Sequence, residues 1–579
     1  MVFSPPAWVP KLPFDPPDSI TIGEFWSNEK YGRLSLDKSQ TPFTCGVSGK
    51  SYSSAQMKER SELLARGLAK RLGWRANEET HWDKVVGVFS FNSIDYIMST
   101  LAVHRLSGIA TPANAMYSAS ELEYQLKASG AKVLFTCVPL LETALKAAKS
   151  VGISEDKVFL MEGAWEQPKQ RLPYKTLDDL IEEGRSLPEM EPLHWSKGQG
   201  ARQVAYLCFS SGTSGLPKAV MISHRNVIAN MMQVRWHESV GREKLGVETQ
   251  TTLGLLPISH IYGLVVVTLS AIYRGDGVII LPRFELQRLL ETIQRFKVNF
   301  LYLVPPIIIQ LLRNPELCAK YDLSSARFIY TGAAPLGAET HQDVIKAFPN
   351  LNIGQGYGMT ETSTVTISTS EHDVVIGTSG SLVPGTQAKI LDEEGKEVTE
   401  YGKRGELYVQ SPSVTLGYLN NERATAEAFV HDDNGRWLRT GDVAVVTTNE
   451  QGVEHLSIVD RIKELIKTKG HQVAPAELEA HLLSHPAVND CTVIPVPDED
   501  AGEVPKAFVV KAAAYKDKSD EETAREISKH VQDHKSRYKW LKGGVEFIDV
   551  VPKSPSGKIL RRLLKDKDKE ARRKAGAKL

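Results

Sequence analysis

The sequence predicts an α/β fold, and three observations lead to it. Apolar strand-like runs alternate with helical patterns across residues 50–470, as in VVGVFSF followed by SIDYIMSTLAVHRL, which is the rhythm of parallel α/β units. The run VAYLCFSS predicts a buried strand, and Ser223 then predicts the start of a helix with Val227, Met231 and Val234 on one face. Residues 377–460 change to short strands and turns, such as QAKILD and GELYVQS, which predicts a small β unit.

Composition is that of a globular protein. The 579 residues are 41% hydrophobic and 24% charged, which excludes a disordered or fibrous chain and predicts about four structural units. Seventy basic residues balance seventy acidic ones, so no global charge indicates a nucleic acid or an anionic membrane as partner.

Cysteine use and the apolar runs indicate a soluble intracellular protein without a membrane span. The five cysteines are far apart, which fits neither a disulfide framework nor a zinc ligand set. The longest apolar runs, 264–273 and 300–312, are shorter than the ~20 residues that a span requires. The last three residues, Ala577, Lys578 and Leu579, are a variant of the S-K-L address read by the peroxisomal import receptor, with chance as the alternative.

The segment SSGTSGLPK, residues 210–218, is the most informative part of the chain. Its glycines allow backbone N–H groups to turn toward an anion, its hydroxyls donate hydrogen bonds, and Lys218 adds positive charge, which suits a polyphosphate. It is not a Walker A loop, because G-x-x-x-x-G-K-[ST] is absent. Composition alone leaves a flexible connector as an open alternative.

Seven separated motifs in order resemble the adenylate-forming superfamily of acyl- and aryl-CoA ligases, peptide-synthetase adenylation domains and beetle luciferases. They are SSGTSGLPK, PISHIYG, TGAAPLG, QGYGMTE, WLRTGD, IVDRIKELIKTKGHQVAPAELE and PKSPSGKILRR. The chain looks most like 4-coumarate-CoA ligases and the peroxisomal phenylacetyl-CoA ligases of filamentous fungi. This resemblance implies a large N-terminal domain over residues 1–460, made of α/β subdomains and a small β-barrel-like unit. A smaller mobile α+β C-terminal domain would follow over 461–579, with its hinge near Lys463.

The resemblance also implies an ATP site. Thr360 would contact the α-phosphate, Tyr357 would face adenine, and Asp442 would accept hydrogen bonds from the ribose, with Arg461 close by. Glu361 would ligate Mg²⁺, a hard cation that prefers oxygen ligands. The full set expected to hold the nucleotide is Ser210, Ser211, Gly212, Thr213, Ser214, Gly215, Lys218, Ala334, Gln355, Gly356, Tyr357, Thr360, Asp442, Arg461 and Lys463.

Lys558 is the strongest candidate for a catalytic residue. It lies in a loop with proline and glycine beside it, where a lysine can bridge the acyl carboxylate and the phosphate oxygens as charge develops in the transition state. The alternative is one more solvent-exposed lysine next to a basic tail.

A second set is implied for thioester formation with coenzyme A. Lys467 and Gln472 would act there beside Lys469 and Gly470, and Arg283 matches a position used for the CoA phosphates. Read only structurally, this stretch is a strand and a helix of a small α+β domain.

The acyl pocket follows from matching positions, with His260 placed near the substrate carboxylate. Its expected lining is Tyr262, Val266, Tyr330, Ala333, Gly358, Thr364 and Val365. None of these is charged, so an apolar or aromatic acid is expected, and the two tyrosines favour a ring. Two departures from the family pattern are Ala219, which replaces a glycine, and His471, which replaces an aromatic residue.

The sequence therefore predicts an ATP-dependent acid:CoA ligase for an aryl or arylalkanoic acid, using ATP, Mg²⁺ and coenzyme A. A medium-chain fatty acid remains an alternative substrate. An adenylation-only enzyme and a non-catalytic nucleotide-binding protein remain alternative functions.

Overall fold

The computed structural model describes residues 1–165, 170–210, 216–469, 471–554 and 557–576. Sheet membership divides them into a large lobe, which ends with a strand at Arg461, and a small lobe from residue 462 onward that is called the lid below. Within the described residues, no helix is long and apolar enough to cross a membrane. All five cysteines are buried free thiols.

The strands of the large lobe contribute buried residues to its hydrophobic cores. In chain order they are β1 (Phe43–Cys45), β2 (Ser51–Tyr52), β3 (Val85–Phe89), β4 (Ile109–Ala113), β5 (Val133–Cys137), β6 (Val158–Met161), β7 (Val204–Ser210), β8 (Lys218–Ser223), β9 (Thr251–Gly254), β10 (Gly277–Ile280), β11 (Phe300–Leu303), β12 (Phe328–Thr331), β13 (Asn352–Met359), β14 (Thr364–Ser368), β15 (Ser381–Leu382), β16 (Gln387–Leu391), β17 (Arg404–Gln410), β18 (Gly417–Tyr418), β19 (Phe429–Asp432), β20 (Gly435–Thr448) and β21 (Glu454–Arg461).

Helices cover the sheets of the large lobe. They are α1 (Ile22–Trp26), α2 (Ser54–Leu72), α3 (Tyr96–Arg105), α4 (Ala119–Ser129), α5 (Leu141–Ser150), α6 (Leu177–Arg185), α7 (Gln199–Arg202), α8 (His224–Lys244), α9 (Ala271–Arg274), α10 (Leu286–Phe296), α11 (Pro305–Arg313), α12 (Pro315–Cys318), α13 (Ala338–Ala347) and α14 (Glu422–Ala428). A π-helix at Tyr262–Ser270 precedes α9.

Two sheets of the large lobe follow the predicted α/β rhythm. One has the strand order β18-β8-β7-β4-β3-β5-β6, and the other has the order β15-β14-β13-β12-β11-β9-β10-β1-β2. Their central pairs, such as β3 with β4 and β12 with β13, are parallel. Central strands such as β3 and β12 are buried along their whole length because helices cover both faces of a parallel sheet. The α/β prediction is confirmed.

Two local predictions also hold. The side chain of Ser223 caps α8 by accepting a hydrogen bond from Asn226 N at 3.2 Å, and Val227, Met231 and Val234 are buried. The predicted small β unit is an antiparallel sheet of β16, β17, β19, β20 and β21, in which the long strand β20 pairs with three neighbours.

The lid is a smaller α+β unit. Its strands are β22 (Ile466–Thr468), β23 (His471–Val473), β24 (Val488–Asp498), β25 (Gly502–Lys511) and β26 (Val545–Phe547), and its helices are α15 (Pro475–Leu483), α16 (Asp520–His534) and α17 (Arg561–Gly576). Buried residues of α15, α16, β24 and β25 form a separate hydrophobic core, which is why the lid can be a structural unit of its own.

Candidate active site

A cleft lies at the boundary between the large lobe and the lid. Side chains from the loop after β12, from β13, from the β20–β21 pair and from the loop before α17 line it. It brings together nine residues of the predicted site, namely Ala333, Ala334, Gln355, Gly356, Tyr357, Gly358, Asp442, Arg461 and Lys558. Residues far apart in the sequence therefore meet in one concave surface, which is the usual form of a small-molecule site.

Asp442 is the buried acceptor of this cleft. Its carboxylate accepts a hydrogen bond from Tyr357 Oη at 2.6 Å and lies 3.5 Å from Arg461 Nε, its partner across the β20–β21 ladder. Burial raises the pKa of Asp442, whereas Arg461 and the Tyr357 hydrogen bond lower it. A carboxylate in this position has the acceptor capacity for two hydroxyl groups of a ribose.

Lys558 enters the cleft from the lid. The backbone of its loop is closed by hydrogen bonds from Ser554 N to Lys558 O at 2.8 Å and from Gly557 N to Ser554 O at 2.8 Å. Gly557 has φ of +82° and faces Val304 of the large lobe so closely that a Cβ there would lie 3.1 Å from Cγ2. Glycine is favoured at this position by its left-handed backbone, and the missing Cβ lets the loop lie close to the large lobe.

The electrostatic surroundings of Lys558 fit a catalytic cation. Burial first and the Arg461 charge second lower the pKa of Lys558 to about 8, although Glu464, Asp442 and Glu361 act in the opposite direction. The same surroundings lower the pKa of His260 to about 4, through burial first and the Lys558 charge second. His260 is therefore neutral at pH 7, and its Nδ1 accepts a hydrogen bond from Tyr262 N at 3.3 Å.

Glu361, the predicted magnesium ligand, is a buried carboxylate held by hydroxyl groups. Its Oε1 accepts hydrogen bonds from Ser210 Oγ at 3.0 Å and from Tyr418 Oη at 2.9 Å. Lys218 Nζ lies 4.7 Å from the centre of the Tyr418 ring. A buried carboxylate whose hydrogen-bond partners are neutral suits Mg²⁺, so these residues fit the predicted ion.

Part of the predicted phosphate loop lies outside the described residues. This applies to Ser211, Gly212, Thr213, Ser214 and Gly215, and also to Gly470 and to Ala577, Lys578 and Leu579. Ala219, which follows the loop, lies in strand β8, and its φ is not positive. Alanine therefore causes no strain where the family has glycine, because the backbone there is ordinary strand.

Gln355 and Thr360, both predicted to bind the nucleotide, have different surroundings in the structure. Gln355 uses its side chain on the protein itself, accepting from Leu336 N at 2.8 Å and donating to Thr378 O at 3.3 Å, so it positions the loop after β12. Thr360 is half-buried and opens the short 3₁₀ turn that carries Glu361.

Two of the predicted acyl residues, Tyr262 and Tyr330, belong to a buried aromatic cluster outside the lining of the cleft. Tyr262 Oη donates to Tyr330 O at 3.1 Å, and the Tyr330 hydroxyl is 2.8 Å from Ser368 Oγ. The two rings lie 6.4 Å apart and meet edge to face. Val266 is buried on the π-helix, and Gly358 pairs with Val365 across β13 and β14.

Backbone strain marks the rim of the acyl region. Ala333 has φ of +68° and Thr364 has φ of +123°, both uncommon for residues other than glycine. Thr364 O approaches Gly358 so closely that a Cβ at Gly358 would lie 1.5 Å from it. Such conformations persist only where the surrounding structure enforces them, and they concentrate at binding sites.

The residues predicted for thioester formation that the structure describes do not line the cleft. Lys467 and Gln472 pair across the β22–β23 hairpin with exposed side chains, and Gln472 Nε2 donates to Glu393 Oε1 of the large lobe. Lys469 and Lys463 are also exposed, and Arg283 forms a 3.0 Å ion pair with Glu285 at the surface. His471 stacks on Tyr538 with ring centres 4.3 Å apart. The structure thus separates this set from Lys558.

Sequence reasoning missed Tyr418 and a charge cluster in the lid. Arg561 forms a two-pronged ion pair with Glu479, with Nη2 to Oε2 at 2.6 Å and Nε to Oε1 at 3.2 Å, and it also binds Glu464. Asp460 lies near the same arginine, and burial raises its pKa to about 6. Asp460, Glu464 and Glu479 all lie in the motif at residues 458–479. Nothing in the spacing of that motif links them to Arg561.

Known proteins give an independent comparison. The family model described as AMP-binding enzyme matches residues 36–419, and the model of the AMP-binding enzyme C-terminal domain matches 477–558. Acyl-CoA ligase easD of Emericella nidulans is 41% identical over 572 residues, covering 98% of this chain and 100% of its own. Acyl-CoA ligase AFT1-1 of Alternaria alternata is 40% identical over 572 residues, covering 98% and 97%.

Solved structures agree in fold over nearly the whole chain. The anthranilate CoA ligase AuaEII in complex with anthranoyl-AMP superposes with a TM-score of 0.80 at 25% identity, covering 96% of this chain and 98% of its own. ATP-bound MatB from Rhodopseudomonas palustris superposes with a TM-score of 0.76 at 25% identity, covering 95% and 99%.

Proposed function

Because the chain belongs to the AMP-binding enzyme family and is an AMP-forming, ATP-dependent acyl-CoA ligase, we propose that its substrate is an aryl or arylalkanoic acid. The acid is first joined to AMP with release of pyrophosphate, and coenzyme A then displaces AMP to give the thioester. The observation that carries the assignment of residues is the meeting of Lys558 from the lid with Asp442 and Arg461 from the large lobe in one cleft.

Adenylation joins two anions, since a carboxylate attacks the α-phosphorus of ATP. We assign Lys558 to neutralise the charge that develops on the phosphate and carboxylate oxygens, because a preorganised cation in a partly desolvated site stabilises such charge strongly. Asp442 holds the ribose, and Tyr357 faces the adenine while its hydroxyl keeps the Asp442 carboxylate oriented. Neutral His260 lies next to the acyl carboxylate.

Magnesium would be held by Glu361, with the hydroxyls of Ser210 and Tyr418 orienting the carboxylate. When bound, the ion neutralises charge on the phosphates. Lys218, next to Tyr418, adds a further cation at the end of the phosphate loop.

The thioester step is assigned to the exposed face of the β22–β23 hairpin. Lys467, Lys469 and Gln472 lie away from the cleft in this arrangement, so they reach the acyl-adenylate only after the lid turns about a hinge at Lys463. Arg283, exposed on the large lobe, is then available to the phosphates of coenzyme A.

The buried aromatic cluster of Tyr262, Tyr302 and Tyr330 supports a ring-bearing acid. Tyr262 lies 6.2 Å from Tyr302 and 6.4 Å from Tyr330, with the rings edge to face. A substrate ring can join such a cluster with the same geometry, which contributes about 0.5–1.5 kcal/mol per ring pair beyond the area that it buries. None of the predicted acyl positions is charged. The similar anthranilate CoA ligase likewise acts on a ring-bearing acid.

The experiment is mass spectrometry of the CoA thioesters formed from a panel of acids. Purified protein, MgATP and coenzyme A are incubated with 4-coumarate, cinnamate, phenylacetate, benzoate, hexanoate and octanoate. We expect thioesters of the ring-bearing acids to dominate. A preference for the two alkanoates would overturn the aryl proposal and leave the ligase intact, whereas acyl-AMP without thioester would contradict coenzyme A as the acceptor.

We also propose that the enzyme is imported into peroxisomes through Ala577, Lys578 and Leu579. Deletion of these three residues from a fluorescent fusion is expected to disperse it into the cytosol, because the import receptor reads the terminal tripeptide. A fusion that stays punctate after the deletion would refute the role of the tripeptide.

A further inference from the structure

One short helix of the large lobe, α11, meets the lid at both of its ends. At its start, Val304 and Pro306 lie against Gly557 of the loop that carries Lys558, since a Cβ on Gly557 would be 3.1 Å and 3.6 Å from their side chains. At its end, Arg313 reaches strand β24 of the lid. Because α11 has nine residues, its two ends are about 13 Å apart.

Arg313 holds the lid mainly through backbone atoms. Its Nη2 donates to Val488 O at 2.6 Å, and its Nη1 donates to both O and Oδ1 of Asn489. A guanidinium has five donors in a fixed fork and can therefore bind several oxygens at once, with hydrogen bonds stronger than those of a neutral donor. A second pair at this boundary is looser, since Glu339 Oε1 lies 3.6 Å from His481 Nδ1 and the glutamate side chain is 50% exposed.

The strand that Arg313 binds is connected to the Lys558 loop inside the lid. Asp490, the residue after Asn489, accepts hydrogen bonds from Lys553 Nζ at 2.7 and 2.8 Å. Lys553 forms a β-bridge with Ile559, and this bridge closes the loop that carries Lys558. Asp490, Lys553 and Lys558 all line the cleft. The position of β24 against α11 therefore determines where the Lys558 loop lies.

We propose that Arg313 is a positioning residue for adenylation, because it holds the lid in the orientation in which Lys558 enters the cleft. One contact at Gly557 would leave the lid free to pivot, whereas two contacts about 13 Å apart on one helix oppose a turn. The inference rests on the proposed function, in which the lid turns about Lys463 for the thioester step. Lys558 and Asp490 both belong to the lid, so this turn takes them out of the cleft together and breaks the Arg313 contact.

The contact is made in only one of the two lid orientations. A contact of this kind shifts the balance between two states by its own contribution to the free energy of one of them. Removal of the Arg313 side chain should therefore favour the orientation for thioester formation at the expense of the orientation for adenylation. An arginine that only stabilised the fold would instead affect both half-reactions equally.

The two half-reactions of the full-length enzyme are measured separately with the acid that gives the most thioester. Adenylation is followed as exchange of labelled pyrophosphate into ATP, and thioester formation is followed from supplied acyl-AMP and coenzyme A. We expect the ratio of the thioester rate to the exchange rate to rise about tenfold in Arg313→Ala, which corresponds to about 1.4 kcal/mol. An unchanged ratio, with both rates lowered together or neither altered, would overturn the positioning role.

Arg295→Ala is the matched control. Arg295 is also an arginine in the last turn of a helix of the large lobe, α10, and it donates to Val47 O at 3.3 Å within that lobe. Its replacement should leave the ratio of the two rates at the wild-type value. A rise in the ratio as large as that in Arg313→Ala would overturn the assignment to the lid contact.

Hydrogen exchange measures the same contact without catalysis. In the protein alone, peptides from α11 and the start of β24 should exchange faster in Arg313→Ala than in the wild type, because the lid leaves α11 more often. Peptides from β25 should exchange as in the wild type, which shows that the lid remains folded. Unchanged exchange at α11 and β24 would overturn the inference whatever the activity. A wild type that forms no thioester from any acid would contradict the proposed function instead, and hydrogen exchange would still decide whether Arg313 holds the lid.

Discussion

Replacement of Lys558 by alanine is expected to lower the rate of acyl-adenylate formation by about a hundredfold or more, the scale on which one preorganised transition-state donor acts. Lys558 is a lid cation that lines the cleft with Asp442 and Arg461, and alanine removes the charge that offsets repulsion between carboxylate and phosphate. The rate is measured as acid-dependent exchange of labelled pyrophosphate into ATP.

Two controls make this result specific. Lys569→Ala changes an exposed lysine of α17 and should leave the exchange rate unaltered. Thioester formation from acyl-AMP supplied to Lys558→Ala should proceed at close to the wild-type rate, because that step uses the other face of the lid. Full exchange activity in Lys558→Ala would instead favour the non-catalytic alternative for this lysine.

The pH profile is a second readout for the same residue. Burial holds the pKa of Lys558 at about 8, below its usual ~10.4, so the ammonium is charged below pH 8 and neutral above it. Because adenylation needs the charged form, kcat/KM should fall as pH rises through about 8, by tenfold per unit at higher pH. Arginine at position 558 stays charged over this pH range, so Lys558→Arg should not show the fall in kcat/KM above pH 8, whatever its absolute rate. The same descending limb in Lys558→Arg would assign the titration to another group.

Replacement of Arg561 by alanine is expected to destabilise the lid by about 3–5 kcal/mol, the cost of breaking a buried ion pair on one side. The Arg561 side chain is 11% exposed and those of Glu464 and Glu479 are 13% and 9% exposed. Glu479 Oε1 also accepts from Thr492 Oγ1 and Val493 N, each at 2.8 Å, so the arginine joins α17 to α15 and β24. Its removal leaves two carboxylates buried without a cation.

Hydrogen exchange followed by mass spectrometry measures this effect within the lid, because a two-lobed protein has no single unfolding transition. Peptides from α15 and β24 should exchange faster in Arg561→Ala. Arg562→Ala, at an exposed neighbouring position of α17, is the matched control and should exchange as the wild type does. Unchanged protection in Arg561→Ala would mean that the ion pair adds nothing to the lid.

The sequence predicted those features that local chemistry or an ordered motif determines. The α/β rhythm follows from the alternation of apolar and helical patterns, and the cap at Ser223 follows from residue type. Asp442, Tyr357 and Lys558 are predictable because each lies in one of the seven motifs of the superfamily. Gln355 also lies in one of these motifs, but its side chain accepts a hydrogen bond from Leu336 N in the loop after β12. A motif does not reveal where a side chain points.

What only the tertiary structure decided is which of these residues meet. Lys558 and Asp442 share a cleft because the Gly557 turn brings the lid against Val304, whereas Lys467 and Gln472 lie on a hairpin outside that cleft. Tyr418 beside Glu361, Arg561 between two glutamates, and Glu339 beside His481 are contacts between distant segments. Periodicity and residue type act over one helix turn or one strand pair, so the sequence by itself determined the fold class and the candidate residues. The packing of whole sheets and lobes, which depends on the summed burial of many side chains, decided the site that they form.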